Sequence, residues 1–503
     1  MEQRIKSKIS FYGIISAITF IYLILTDYPG ISAPIFFIIQ FAALFLIAKD
    51  TGAVNIKGLL MLIPIFIISM NNFISANYML MPTNFLAIVF LYSVMFLLLE
   101  NRLNLVKLNI HSFLKTIFNI FKPVVNFIVP FKWLSEKSDN KEKHILMKRI
   151  LLGIAISIPS VVFLVMMLSS ADLVFHNTFI IFNDWFKSLF DFINIYKIIV
   201  GSFAGLYLFG HLYSVFNNDS MLTGVINDKS DSDYKIGGDV IVFNILLVSI
   251  LVIYSIFMAI QFKYLFSGGY LPNGLNYSEY ARRGFFELIF LSVINIALIL
   301  LTTCLLRDKI YEDKNKWALF TKLMLIYLCI ITGILLISSY YRMSLYDGAY
   351  GFTRLRVLVY IFLIFEAGGL IATLVYIIKH NFNILAVYAA IGLLFYLTLN
   401  LVKMDELIAK KNIDMYLSGQ AEDIDIDYLL TLSDDALPQI IRLTDDNVQI
   451  MTRVKTINYL RDVSERYNYM DRYNYMDNNW QGYNLSIEKN KSLLETNKDK
   501  WEF

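Results

Sequence analysis

VLVYIFLIFEAGGLIATLVYIIK, residues 357–379, decides the fold. Its first 22 residues fill the space between Arg356 and Lys379 and hold one charged side chain, Glu366, at the tenth place. A helix of that length rises roughly 33 Å at ~1.5 Å per residue, which matches a hydrocarbon core of ~30 Å. This run is therefore a membrane span, and Glu366 falls near the bilayer midplane. A charge at that depth costs roughly 2.5–3.5 kcal/mol on insertion scales, so such a carboxyl faces a partner or a wet cavity. Gly368 and Gly369 beside it allow another helix to approach closely. Two roles are open for Glu366: a proton or ion pathway, or a structural partner for an arginine or a hydroxyl.

Similar runs recur along the chain. Eleven spans are expected, at 10–26, 31–48, 58–73, 84–99, 150–169, 192–216, 240–262, 284–305, 318–339, 357–378 and 382–402; the third is short and holds Pro64. Composition agrees, with 57% hydrophobic and only 17% charged residues against ~25% in soluble domains. The mean hydropathy is +0.57. The expected architecture is all-α: a polytopic bundle of about eleven spans with a small helical C-terminal domain outside the membrane. The organisation reads as four N-terminal spans (1–99), a basic amphipathic cytoplasmic segment (100–149), a seven-span core (150–402) and an acidic helical tail (403–503). The basic start MEQRIKSKIS has no small-residue cleavage site after it and reads as a first anchor.

Orientation follows from the bias of Lys and Arg toward the cytoplasmic connections. With the N-terminus inside, the inner connections hold 22 basic residues and the outer ones seven. That orients the chain in its membrane, with the bilayer as its first partner. In KTIFNIFKPVVNF, Lys115, Asn119, Lys122 and Asn126 recur at helical spacing, opposite Ile117, Phe118, Phe121 and Val125. The expectation is an amphipathic helix on the inner membrane surface. An odd number of later spans sends the tail outside, where it carries 13 basic and 19 acidic residues and is a candidate surface for another envelope protein. LTLSDDALPQIIRL reads as a helix capped by Ser433 or Asp434, and NVQIMTRVKTINYLRDVSERY as a second, amphipathic one. RYNYMD occurs twice in tandem, at 466–471 and 472–477.

No phosphate-binding loop, zinc-protease, serine-hydrolase or dinucleotide motif is present. No cofactor is expected. The five histidines are scattered, so no metal site is expected, and the basic residues follow the membrane rule rather than nucleic acid. No catalytic motif marks an enzyme. Both cysteines, Cys304 and Cys329, lie inside apolar runs.

The polar residues that stand out concern the outer side. SSYYRMSLYDGAYGFTRLRV, 338–357, crowds Arg342, Tyr346, Tyr350, Arg354 and Arg356 into one connection, where the charge bias disfavours arginine. Gly348 and Gly351 argue against one unbroken helix there. Arginine is a planar donor suited to carboxylate or phosphate. NYSEYARRGFFELIF adds Tyr280, Arg283 and Glu287, the last two spaced for a helical ion pair, and LSSADLVFHN adds Asp172. These residues and Glu366 form the candidate polar site. Glu366 is also the pathway carboxyl if the protein transports a small anionic solute. Asp172 or Glu287 is the acid or base if it is an enzyme on a lipid-linked substrate. A non-catalytic sensor or assembly partner is the third reading. The arginine-rich connection serves an outward-facing site or a dock for the tail.

On these residues the chain resembles a family of multi-pass bacterial membrane proteins known as domain of unknown function 4173. The matching pieces are SSADLVF, LPNGLNYSEYARRGFFEL, YRMSLYDGAYGFTRLR, LIAKKNID, DIDYLLTLSDDALPQIIRL and NWQGYNLS, within about residues 150–490. The family usually has proline where this chain has Leu173, and arginine where it has Gln481. The resemblance implies a fold and a topology and no chemistry.

Overall fold

The computed structural model describes residues 3–26, 28–51, 55–135, 195–217, 239–266, 285–311, 316–379, 381–472 and 480–500, with four isolated positions between 153 and 164. All regular structure among them is helical. Nine helices in these residues are long and apolar enough to cross a membrane. The protein is a multi-pass, all-α integral membrane protein. Eight of the nine coincide with expected spans, and the ninth, Ile110–Trp133, covers the segment read as a surface helix. The expected span 150–169 lies outside the described residues apart from those isolated positions.

The chain forms two compact units. One holds residues 1–104, 109–227 and 468–488; the other holds 105–108, 228–467 and 489–503.

In the first unit, α1 (Gln3–Leu23) and α2 (Ser32–Thr51) are joined by a short connection. Lys8 and Arg4 at the start of α1 pair with Asp50 at the end of α2, so those two ends share a side. A 3-10 turn, Ile56–Met61, runs into α3 (Leu62–Ile74), and α4 spans Met81–Leu99. Turn and helix together rise roughly 30 Å, at ~2.0 and ~1.5 Å per residue, although the apolar helix itself, Gly58–Ile74, is shorter than the nine. The segment 480–484 stitches two connections. Gly30 N donates to Gln481 O and Ile31 N to Tyr483 O, both at 2.9 Å, while Asn484 Nδ2 donates to Asn72 O and Ser75 O at 2.9 and 2.8 Å. The α1–α2 and α3–α4 connections therefore lie on one side. NWQGYNLS is that clamp.

α7 (Ile195–Phe216) packs antiparallel to α1 along a seam of small residues. A Cβ on Gly205 would lie 2.6 Å from both Ala17 Cβ and Gly13 O. Between α4 and α7 along the chain come α5 (Ile110–Val125), whose backbone Asn109 caps with Ser112 in a reciprocal box, and the short α6 (Val129–Ser135). The end of this segment lies where α4 ends and α1 begins, with Lys122 on Glu100 and Lys6 over the Trp133 ring, but its stripes do not face as a surface helix's would. Thr116 and Asn119 are buried and Phe113, Phe118, Phe121 and Val125 exposed. Ser93 Oγ donates to Thr116 O at 2.7 Å, Asn119 Nδ2 to Ser93 O at 3.1 Å, and Lys122 Nζ reaches both oxygens of buried Glu100 at 3.2 Å. The polar stripe meets α4 and α7, and the apolar stripe faces away from protein. In an apolar solvent that is the favourable arrangement, because polar groups find partners only in protein.

The second unit holds α8 (Val240–Phe266), α9 (Phe285–Leu305), the short α10 (Arg307–Tyr311), α11 (Lys316–Tyr350), α12 (Arg354–Ile378) and α13 (Ile384–Leu401). Leu247, Ile299, Leu325, Leu328, Leu335 and Ile377 are at the centre of its apolar core. Polar pairs cross that core at intervals. Thr321 Oγ1 donates to Asn244 Oδ1 at 2.6 Å, Tyr254 OH to Asn295 Oδ1 at 2.8 Å, and Asn295 Nδ2 to Thr332 Oγ1 at 3.2 Å. Such bonds fix helix register where hydrophobicity alone does not. Beyond α13 come α14 (Met404–Leu417), α15 (Ile426–Leu429), α16 (Leu437–Ile440) and α17 (Ile450–Arg472). The expected helix over LTLSDDALPQIIRL is broken into a 3-10 turn at 434–436, α16 and a second 3-10 turn at 441–444. α17 covers the expected amphipathic helix and the first RYNYMD; five positions of the 472–477 copy lie outside the described residues.

Candidate functional site

α11 is 35 residues long and rises roughly 52 Å, well past the thickness of a bilayer. Its last turns carry Arg342, Tyr346, Asp347 and Tyr350. The expected break at Gly348 does not occur; the helix runs through it and stops at Gly351, whose φ is +72°. Gly351 N donates to Asp347 O at 2.8 Å, a left-handed C-cap that a residue without Cβ adopts without strain. Arg342, Tyr346 and Tyr350 thus share one helix face, and the Tyr346 and Tyr350 rings are 5.1 Å apart. Arg354 begins the next helix.

Arg356 folds back over this end. Its Nη1 donates to Gly351 O, and to Tyr350 O at 3.3 Å, satisfying carbonyls that the helix leaves open. The guanidinium lies 4.1 Å from the centre of the Tyr346 ring, and its Nε is 3.6 Å from Asp347 Oδ1. Arg356 is a helix-end cap with an ion pair and a ring contact. Arg342, one turn before Tyr346, is buried and engaged within the protein.

Arg354 points to the tail. Its Nε and Nη2 donate to Asp405 Oδ1 and Oδ2, each at 2.7 Å, in the planar fork that guanidinium and carboxylate favour. Ser433 N donates to Asp405 Oδ2 at 2.9 Å, and Arg354 N donates to Tyr428 OH at 2.8 Å. Asp405 is 1% exposed. Burial alone pushes its pKa up, but the bonds from Arg354 and Ser433 outweigh it and hold the carboxyl below its ordinary value. Asn412 completes the dock. Its Oδ1 accepts from Phe352 N at 2.6 Å and its Nδ2 donates to Phe352 O at 2.8 Å, which satisfies both backbone groups of the connection. Behind these bonds Val357 packs with Ile408, Ala409, Ile413, Leu429 and Leu443. Lys403 Nζ is 3.7 Å from buried Asp435.

The structure therefore gathers Tyr346, Tyr350, Arg354 and Arg356 around Gly351, with Arg342 on the same face of α11. Glu366 is separate, roughly 18 Å further along α12 from Arg354. It is 8% exposed, and Ser292 Oγ on α9 is 2.5 Å from its Oε1. Glu287, in the first turn of α9, is exposed. Asp172, Tyr280 and Arg283 lie outside the described residues, and with them the expected Arg283–Glu287 pair. Among the described residues no group of three or more His, Cys, Asp or Glu side chains is placed to hold a metal ion. The sequence reading missed Asp405, Asn412, Tyr428 and Asp347. Asn412 and Tyr428 do fall in two of the pieces quoted for the family resemblance, LIAKKNID and DIDYLLTLSDDALPQIIRL.

A polytopic helical membrane protein whose arginine-rich connection clasps its own C-terminal segment is the class that fold and site define. The chain belongs to the family described as Domain of unknown function (DUF4153), whose profile matches residues 60–443. The match does not extend to the 4173 family to which the motifs pointed, and the description likewise assigns no activity. No curated protein and no solved structure matches the chain.

Proposed function

We propose that the protein is a non-catalytic sensor or assembly partner of the bacterial cell envelope, sited in the cytoplasmic membrane with its N-terminus inside. Its outer face presents the tail, held on the α11–α12 connection, to another envelope protein. The observation that carries this reading is the engagement of the connection's arginines. Arg354 is spent on Asp405 and Arg356 on the end of α11, so neither is offered to an anionic solute. The orientation rests on the basic bias, 22 residues against seven. The narrower kinship with the 4173 family rests on the YARRGFFEL and YGFTRLR pieces.

Photo-crosslinkers at Met451 and Val454, exposed on α17, test the proposal in intact cells. Capture of one defined envelope protein is expected, and Asp405→Asn, which loosens the tail, lowers it. Equal capture with and without Asp405→Asn, or flux of a small anion through the reconstituted protein, contradicts it. One observation favours the transporter alternative: Glu366, buried among the spans, has its second oxygen without a protein partner among the described residues.

A further inference from the structure

Glu366 lies where α12 meets α9. Ser292 is its contact, and the hydrogens there can be counted. Ser292 Oγ is 2.7 Å from Ile289 O, one turn back on its own helix, and 2.5 Å from Glu366 Oε1. A hydroxyl has one hydrogen to donate and lone pairs to accept with, whereas a backbone carbonyl only accepts. When the serine hydrogen goes to Ile289 O, the contact with Glu366 needs a hydrogen from the carboxyl. Glu366 Oε2 is buried without a protein partner among the described residues. An ionised carboxylate accepts at both oxygens and is costly to bury with fewer than one donor for each.

Among the described residues, no cation of the helices packed here pairs with Glu366. Tyr388 on α13 is set against this region, and its hydroxyl donates to Gly369 O at 3.1 Å and lies 2.8 Å from Thr373 Oγ1. Cys329 on α11 donates to Leu370 O. No ion pair to Glu366 exists among the described residues. The arginine partner that the sequence left open is absent from them, and the hydroxyl partner is present.

We infer that Glu366 is an intramembrane proton site: a carboxylic acid whose O–H donates to Ser292 Oγ, while Ser292 donates to Ile289 O. The proton is then a ligand of the α9–α12 contact. Its release leaves a charge with at most one donor inside the bundle, so departure of the proton and loosening of this contact go together. This inference is independent of the tail dock and of the proposed envelope role.

Infrared difference spectra of the full-length protein in lipid test it. Wild type minus Glu366→Gln should show the carbonyl band of a protonated carboxyl. Ser292→Ala should move that band to higher frequency, because the acid loses its acceptor. A difference spectrum containing only carboxylate bands overturns the inference. Should Glu366→Gln fail to accumulate, wild type and Ser292→Ala grown with carbon-13 glutamate carry the same test. An isotope-shifted acid band that moves with Ser292 supports the site, and the lack of one that moves overturns it.

Discussion

Arg354 and Asp405 meet through two hydrogen bonds of 2.7 Å, tying the first residue of α12 to the first turn of α14. Lysine keeps the charge but cannot form two parallel bonds. Arg354→Lys should therefore destabilise the tail, and Asp405→Ala more so, by about 3–5 kcal/mol, since it leaves the guanidinium and Ser433 N–H without their acceptor. Limited proteolysis of residues 403–500 in membranes reads this directly.

Acid should loosen the dock. The folded pKa of Asp405 is depressed, so its contribution is fully present above the unfolded value of about 3.9 and is lost as pH falls through the lower folded value. Thermal midpoints should show no loss from Asp405 between about pH 8 and about pH 5, with the decline beginning below about pH 4. Asp405→Asn should remove part of that acid decline. A variant that keeps the whole decline would show that other carboxyls account for it.

Asn412 and Gly351 should be intolerant for different reasons. Asn412→Ala strips partners from Phe352 N–H and C=O, a loss of about 1–3 kcal/mol. Gly351→Ala places a Cβ 2.6 Å from Asn412 Oδ1 at a φ of +72°, so it strains the turn and crowds the dock. Both should lower the melting temperature in detergent. A neutral Gly351→Ala would mean that the α11 end relaxes without cost.

The glycine seam between α1 and α7 should tolerate no side chain. A Cβ on Gly205 would lie 2.6 Å from Ala17 Cβ and Gly13 O, and one on Gly201 would lie closer still to Ile21 Cγ1, which sits on a branched Cβ that is stiff at χ1. Gly205→Ala and Gly201→Ala should each reduce folded protein. Unchanged detergent-resistant yield for both would contradict the close approach.

Hydropathy finds the spans because the bilayer imposes a length and an exclusion of charge on each one separately. It does not say which face of a helix meets protein. The residues around 115–126 announce an amphipathic helix, but Asn119 turns toward Ser93 instead of water, and only the neighbours decide that. Gly348 misleads for a related reason: packing overrides a small cost in helix propensity, and the break comes where Gly351 takes a positive φ. At the candidate site the arginines were visible as an anomaly of charge. Their partners were not, because Asp405 and Asn412 lie 51 and 60 residues from Arg354 and Phe352, and nothing in one sequence pairs positions across a span.

Reporter fusions at about residue 140 and about residue 420 should report opposite compartments, the first cytoplasmic, by the basic bias of the connections. The same compartment for both would remove one crossing after Arg149.

The most direct test of the dock is a double-mutant cycle of Arg354→Ala and Asp405→Ala on tail stability, read by proteolysis of the full-length protein in membranes. The account predicts a coupling of about 1–3 kcal/mol, with the double variant little worse than Asp405→Ala alone. Effects that add to within about 0.5 kcal/mol would mean that the two residues do not act together, and that the connection is not the dock of the tail.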